Sequence, residues 1–336
     1  MSSRAAAARV RTTPLSAEER RHLWWAAPPL AVFVLANVIF DLIGGGYTTI
    51  GRALIDAASG DGESYREPVA VAAKIGWAAL ALVFVLVAAG VLVASWRILS
   101  SRVRGRARRP FLVFIAVVAF ANLAHLLVVD RAETPLHGIF SVTLAAIQAD
   151  PAVGPAEATA ARVIVASINV MAGVVPAFFI AAAVATTLPP LEGWNEATLA
   201  RRARQIRQVV AFVAAFMVAG ILHMGGWTHF AGATLGADAD HALDRVAVAV
   251  TLYWGAAFTL MIASFYLPMG VRLVELAEGV MDELGVGAAE RRDWLASRGL
   301  SFEPSQQLPQ IAAVAAPLLA GPLSGAIGAA AERLAL

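Results

Sequence analysis

Ser100-Ser101-Arg102-Val103-Arg104-Gly105-Arg106-Ala107-Arg108-Arg109-Pro110 packs five arginines into one short connection. On either side lie stretches without a single formal charge, Ile75–Trp96 and Phe111–Val129. A helix that crosses the hydrocarbon core of a bilayer needs roughly 20 consecutive apolar residues. Both flanks meet that length, and four further stretches do as well: Leu23–Ile43, Val163–Leu188, Val209–Phe230 and Val246–Leu267. The segment Glu196–Gln208 also reads as helical, so the fifth span is expected to begin before it enters the membrane.

The gaps between these spans alternate in arginine density. The amino-terminal arm carries Arg4, Arg9, Arg11, Arg20 and Arg21, and the second gap is the cluster quoted above. Arg201, Arg202, Arg204 and Arg207 fill the fourth gap, and Arg272, Arg291, Arg292 and Arg298 follow the sixth span. The intervening gaps are poor in basic residues: Gly44–Lys74 holds Arg52, Arg66 and Lys74, and Gly236–Arg245 holds Asp238, Asp240 and Asp244. Positively charged loops stay on the cytoplasmic side, so the amino terminus is expected inside a cell membrane, with a bacterial inner membrane as the natural setting. Trp24, Trp25, Trp96 and Tyr266 then fall near the inner ends of spans, and Trp77, Trp227 and Trp254 near the outer ends, as two belts at headgroup depth.

Composition points the same way. Of 336 residues, 59% are hydrophobic and 15% charged, against about 45–50% and about 25% in soluble domains. The fold class expected is all-α: a polytopic helical membrane bundle of six spans. The organisation that follows is a cytoplasmic arm at 1–22, a transmembrane domain at 23–268, a cytoplasmic amphipathic segment at 269–308 and an apolar segment at 309–336. In the third of these, Val271–Leu284 spaces Arg272, Glu275, Glu278 and Asp282 at helical intervals, and a short helix is expected around Glu290–Ser297. Ile311–Ala331 is apolar enough to cross as a seventh span, but Pro317 and Pro322 interrupt it, and a re-entrant segment is the alternative. Gly321 and Gly325 give it a GxxxG spacing that suits close helix approach.

The odd-numbered spans share a local pattern: Leu35–Asp41, Phe120–Leu126 and Val218–Met224 each place small and polar residues in the same half of a span. Three helical hairpins related by internal repetition would produce it.

The chain has no cysteine, which excludes disulfides, thiolate zinc sites and iron–sulfur clusters. It lacks the GxxxxGK[ST] phosphate loop, the HExxH zinc motif and the GxSxG nucleophile elbow, so enzymatic activity is not the first expectation. A sequence pI near 9.4 reads as arginine loops facing anionic lipid, not as nucleic-acid binding. The partners expected are therefore the bilayer, anionic lipids at the cytoplasmic face and a second copy of the chain.

Polar groups at membrane depth are costly, so they are where a functional search begins. They are Asn37 and Asp41 in the first span, Asn122 and His125 in the third, Asn169 in the fourth and His223 in the fifth. Asn37 and Asp41 share one helix face by their spacing of four, as Asn122 and His125 do by their spacing of three. Three readings compete. The six residues line a path for a small solute, with Asp41 as its charged member, in a passive or weakly coupled transporter. Alternatively, His125 and His223 are axial ligands of a b-type haem in a redox protein. In the third reading the groups are interhelical glue, within a non-transporting anchor, sensor or assembly subunit. Absent haem, no cofactor is expected. A loop metal site from His229, Asp238, Asp240 and His241 is chemically conceivable, with solvated side chains as the default.

Overall fold

The computed structural model describes residues 11–43, 67–129, 143–148, 153–191, 193–234, 237–301 and 304–335. Among them every regular element is helical, and the one β feature is an isolated parallel bridge between Arg11 and Val103. Seven long helices form the body: α1 (Ala27–Ile43), α2 (Glu67–Arg102), α3 (Arg109–Val129), α4 (Pro155–Thr187), α5 (Glu196–Ala233), α6 (Ala237–Glu283) and α7 (Pro304–Ala335). A short helix at Ala17–Arg21 and a 3-10 turn at His22–Ala26 lead into α1. Six of the described helices are long and apolar enough to cross a membrane, and they coincide with the six apolar stretches read from the sequence.

The surface is built for lipid. Leu82, Val83, Leu86, Val113, Val117 and Phe120 are exposed on α2 and α3, a density of large apolar side chains that water would not tolerate. Inside, α5 is the central helix, packed against α2, α4, α6 and α7. Ala181, Ala182, Ala183 and Ala185 are buried on α4, where small side chains let helix backbones approach closely. The helices α3 and α4 pair as a hairpin, and so do α5 and α6. The helix α1 packs on α6, while α2 lies against α4 and α5.

This interleaving gathers the arginine-rich segments at one end of the bundle. The Arg11 amide donates to the Arg102 carbonyl, and the Arg104 amide donates back to the Arg11 carbonyl at 2.7 Å. Arg102 of α2 hydrogen-bonds Gln205 of α5, and Arg298 pairs with Glu196 at 2.6 Å. At the opposite end, helical residues 143–148 close over the bundle with Leu144 and Ile147 buried.

Two expectations change in detail. The amphipathic stretch Val271–Leu284 is not a separate helix: α6 runs unbroken through Pro268 to Glu283, burying Leu273, Ala277 and Val280 while Glu275 and Glu278 stay exposed. Trp77, Trp227 and Trp254 do not ring the lipid boundary; all three are buried among other aromatic side chains.

The apolar tail forms one continuous helix, α7, with Pro309, Pro317 and Pro322 inside it. It lies against α5 and α6. Gly321 sits so close to α6 that an added Cβ would lie 3.0 Å from the Leu252 amide nitrogen. Gly325, the other half of the GxxxG spacing, has its side-chain environment outside the described residues, as do the segments 44–66 and 130–142.

Candidate functional site

The polar residues singled out in the membrane-spanning helices occupy three different settings. Asn37 donates to the Phe33 carbonyl one turn back at 2.8 Å, which satisfies part of its amide within α1 itself. Next to it the Ala36 carbonyl accepts from the Tyr253 hydroxyl of α6 at 2.6 Å, beside a cluster of Phe40, Tyr253 and Trp254. Asp41 lies one turn further along α1, and its side chain falls outside the described residues.

Asn122 and Asn169 belong to the α3–α4 pair. The Asn122 amide occupies the notch left by Gly173, where a Cβ would overlap all three of its terminal atoms, and its Nδ2 is buried without a hydrogen-bond partner. Asn169 is half-buried one turn from Gly173. Because the obstructing atoms belong to a side chain that can rotate, Gly173→Ala is expected to cost only about 1 kcal/mol. Paired with Asn122→Ala that cost should vanish, a coupling a double-mutant cycle in detergent unfolding would read directly.

The two histidines diverge. His125 is exposed on α3, whereas His223 is buried between α2 and α5 with its ring 6.0 Å from that of Phe84 and 6.2 Å from that of Trp77. A haem would need both imidazoles on opposite faces of one iron, and these two sit in unlike surroundings on helices with different neighbours. His223 instead belongs to an aromatic column. Phe84 and Phe216 lie 5.2 Å apart, Trp77 stacks on Phe230 at 5.7 Å, and the Trp227 indole donates to the Thr143 hydroxyl at 2.5 Å. Within that column Trp77 Nε1 and His223 Nδ1 are buried without partners. Among the described residues no group of three or more His, Asp or Glu side chains is placed to hold a metal ion; His229 is among them, and the side chains of Asp238, Asp240 and His241 are not.

A different polar site stands at the arginine-rich end. Its construction starts with the end of α4. The helix stops at Thr187 because Leu188 is extended and Pro189 and Pro190 cannot continue it. A helix end leaves carbonyls without intrahelical donors. Here Thr186 and Thr187 hydroxyls donate to the Ala183 and Val184 carbonyls at 2.6 and 2.8 Å. The Ala185 and Leu188 carbonyls receive the guanidinium of Arg202 at 3.4 and 2.9 Å. The chain turns through Gly193, whose φ of +78° suits glycine. It re-enters helix at Asn195, whose side chain accepts from the Thr198 amide at 2.9 Å.

The turn leaves a cavity of about 40 Å³ between α2, the 188–191 turn, the first turns of α5 and the amino-terminal arm. Arg11, Arg102, Arg201 and Arg202 all line it. Arg11 is neutralised by Glu19 and also donates to the Pro189 carbonyl. Arg102 donates to neutral Gln205, and Arg202, 2% exposed, donates only to carbonyls. Arg201 makes no hydrogen bond or ion pair with any described residue, and the Nε atoms of Arg102, Arg201 and Arg202 are all buried without partners. The three guanidinium groups are close enough to repel one another, and among the described residues none of them has a carboxylate partner.

In the sequence these arginines are legible only as loop charge. What assembles them is the amide pairing of Arg11 with residues 102–104 and the Pro189-Pro190 stop, and only the second of these leaves a local signal. No protein-family model, curated protein or solved structure matches this chain, so what it can do is read from its own residues.

Proposed function

We propose that this multi-pass membrane protein is a non-transporting subunit, an anchor or sensor, that recognises a phosphate-class anion at its arginine-rich, cytoplasm-facing end. The observation that carries this reading is the cavity lined by Arg102, Arg201 and Arg202, none of which has a carboxylate partner among the described residues. Guanidinium forks match phosphate oxygens in shape and charge. A volume of about 40 Å³ accommodates roughly three water-sized groups, enough for the terminal oxygens of one oxyanion. Binding would also relieve the mutual repulsion of the three cations.

The test is titration of the detergent-purified full chain with inorganic phosphate, followed by calorimetry and by melting temperature. A ligand that binds only the folded state raises its stability, by about 2.7 kcal/mol at a concentration of 100 Kd. Arg201 makes no hydrogen bond or ion pair with any described residue, so Arg201→Gln should leave the melting temperature without phosphate unchanged. One charge-assisted hydrogen bond lost at a half-buried site should weaken phosphate binding about tenfold. A wild-type chain that neither binds phosphate nor melts higher in its presence would end this reading.

A second reading keeps the notion of a solute path. It is favoured by the buried, unpartnered Trp77 Nε1 and His223 Nδ1 in the aromatic column, since buried polar groups ordinarily find a water or a hydroxyl. Asp41, whose side chain lies outside the described residues, is a further candidate for that path, whereas Asn37, Asn122, His125 and Asn169 stand in other surroundings. Flux of small polar solutes into liposomes, reduced by His223→Ala and by Asp41→Asn, would favour it over the anchor.

A further inference from the structure

The arginine cavity has a neighbour on the same two helices. A surface groove of about 570 Å³ runs between α2 and α5, with Gly90 and Ala94 in its floor, Phe212 along its wall, and Arg97 and Gln208 at its polar mouth. Helical spacing makes groove and cavity one continuous stripe. On α2 the positions 90, 94, 97 and 98 lead to 101 and 102, and on α5 the positions 212 and 208 lead through 205 to 201. The hydrogen bond between Arg102 and Gln205 marks the boundary between them.

Three features separate this groove from the rest of the lipid-facing surface. Elsewhere α2 presents ridges of large side chains such as Leu82 and Leu86, whereas here small residues leave a channel. From Ala89 to Ile98 the groove rises about 14 Å at roughly 1.5 Å per residue, close to half of a hydrocarbon core about 30 Å thick. Finally, Arg97 at its mouth makes no hydrogen bond or ion pair with any described residue, although Trp96 beside it is engaged by Arg108 at 4.8 Å.

From these features we infer that the α2–α5 groove seats one acyl chain of an anionic phospholipid, whose phosphate is held by Arg97 and Gln208 next to the arginine cavity. The inference rests on the anion-recognition reading and names the membrane as the source of the phosphate. The occupant follows from charge and shape together. An apolar channel that opens onto Arg97, which has no partner among the described residues, and whose α2 wall continues to Arg102 and the arginine cavity, complements a lipid carrying net negative charge at its headgroup. A zwitterionic lipid would bring its own cation into the arginine field.

The test uses the full-length protein purified in detergent, exchanged against phosphatidylglycerol or chain-matched phosphatidylcholine, with retained lipid counted by native mass spectrometry. A Cβ built at Gly90 meets no atom within 4 Å, so Gly90→Leu adds bulk to the groove without a clash at its point of attachment. The wild-type chain should retain phosphatidylglycerol in preference to phosphatidylcholine. Gly90→Leu should reduce that retention about tenfold while leaving the inorganic phosphate titration unchanged. Arg97→Gln should erase the preference between the two lipids. Undiminished phosphatidylglycerol retention in Gly90→Leu would overturn the groove as the seat yet leave phosphate recognition intact. So would a change of oligomeric state in Gly90→Leu without lipid loss, which would assign the groove to a second copy of the chain. Loss of phosphate binding by the wild type itself, with lipid retention intact, would instead defeat the anion reading alone.

Discussion

Arg202→Ala is expected to be among the most destabilising single substitutions in this bundle. The guanidinium is almost completely buried, and it is the donor to the Ala185 and Leu188 carbonyls at the end of α4. Alanine leaves both carbonyls facing the space that the guanidinium filled. An unsatisfied buried carbonyl costs about 1–3 kcal/mol, so the pair predicts a loss of about 2–6 kcal/mol. Two pairs of effects oppose each other around that figure. Water entering from the adjoining cavity would rehydrate the carbonyls, and removing one of three mutually repelling cations relieves their repulsion; both lower the cost. Truncating a buried side chain and losing a cation from the negative end of the α4 dipole both raise it. Arg202→Lys should fall between, because a single ammonium cannot fork to two carbonyls as a planar guanidinium does. Neighbouring Arg201 supplies the control: it holds no carbonyl, and Arg201→Ala should leave stability within about 0.5 kcal/mol of wild type. Equilibrium unfolding in mixed detergent micelles measures all three. Equal effects at 201 and 202 would mean that Arg202 does not cap α4.

The contrast between those two arginines shows how far the sequence could be read. Arg201 and Arg202 are adjacent and chemically identical, and in the sequence both count simply as positive charge in the fourth gap. Charge density is a property of the gap, so it survives uncertainty about individual positions. It gave the spans an expected direction, and the structure gathers the arginine-rich segments at one end of the bundle. The spans themselves were legible because bilayer thickness imposes a length that local composition records directly. What distinguishes Arg202 from Arg201 is which side of α5 faces the end of α4. That depends on packing of helices distant in sequence, which leaves no local trace. The same limit applies to the membrane-depth residues. Spacing correctly puts Asn122 and His125 three apart on α3, yet the first is tucked against Gly173 and the second is exposed, because α4 covers only part of that face. Aromatic residues misled for a related reason. Trp77 and Trp227 have the amphipathic rings that favour headgroup depth, but here α2 and α5 approach closely enough for the rings to pack against each other instead, tilted at 5.1 Å.

The α6–α7 crossing yields the other large expected effect. Gly255 on α6 faces α7 at a place where an added Cβ would lie 2.5 Å from the Pro317 carbonyl oxygen and 3.0 Å from the Leu318 Cα. On the other side of the same crossing, a Cβ on Gly321 would lie 3.1 Å from the Thr251 carbonyl carbon. Both sets of obstructing atoms are backbone, so no rotamer change can make room, in contrast to the Asn122 notch at Gly173. Any side chain at Gly255 must push one helix off the other. In lipid the association of helices depends on such close packing, because apolar side chains gain little by leaving a hydrocarbon solvent. Alanine in place of glycine gains about 0.8–1.0 kcal/mol of helix propensity, so Gly255→Ala sets that gain against the clash and should be destabilising on balance. Gly255→Leu adds volume with no further gain and should cost about 3 kcal/mol or more, at the upper end of overpacking effects. Gly279, further along the same helix, has open space where its Cβ would be, and Gly279→Ala should be neutral or stabilising. If α7 is released, the Tyr266 hydroxyl also loses its partner, Gln307, now 2.6 Å away. Limited proteolysis should then cut the chain between α6 and α7 faster in Gly255→Leu than in wild type, and cysteine crosslinks engineered between positions 252 and 318 should fail to form. Normal crosslinking and unchanged melting in Gly255→Leu would mean that the tail helix does not dock by backbone contact at this crossing.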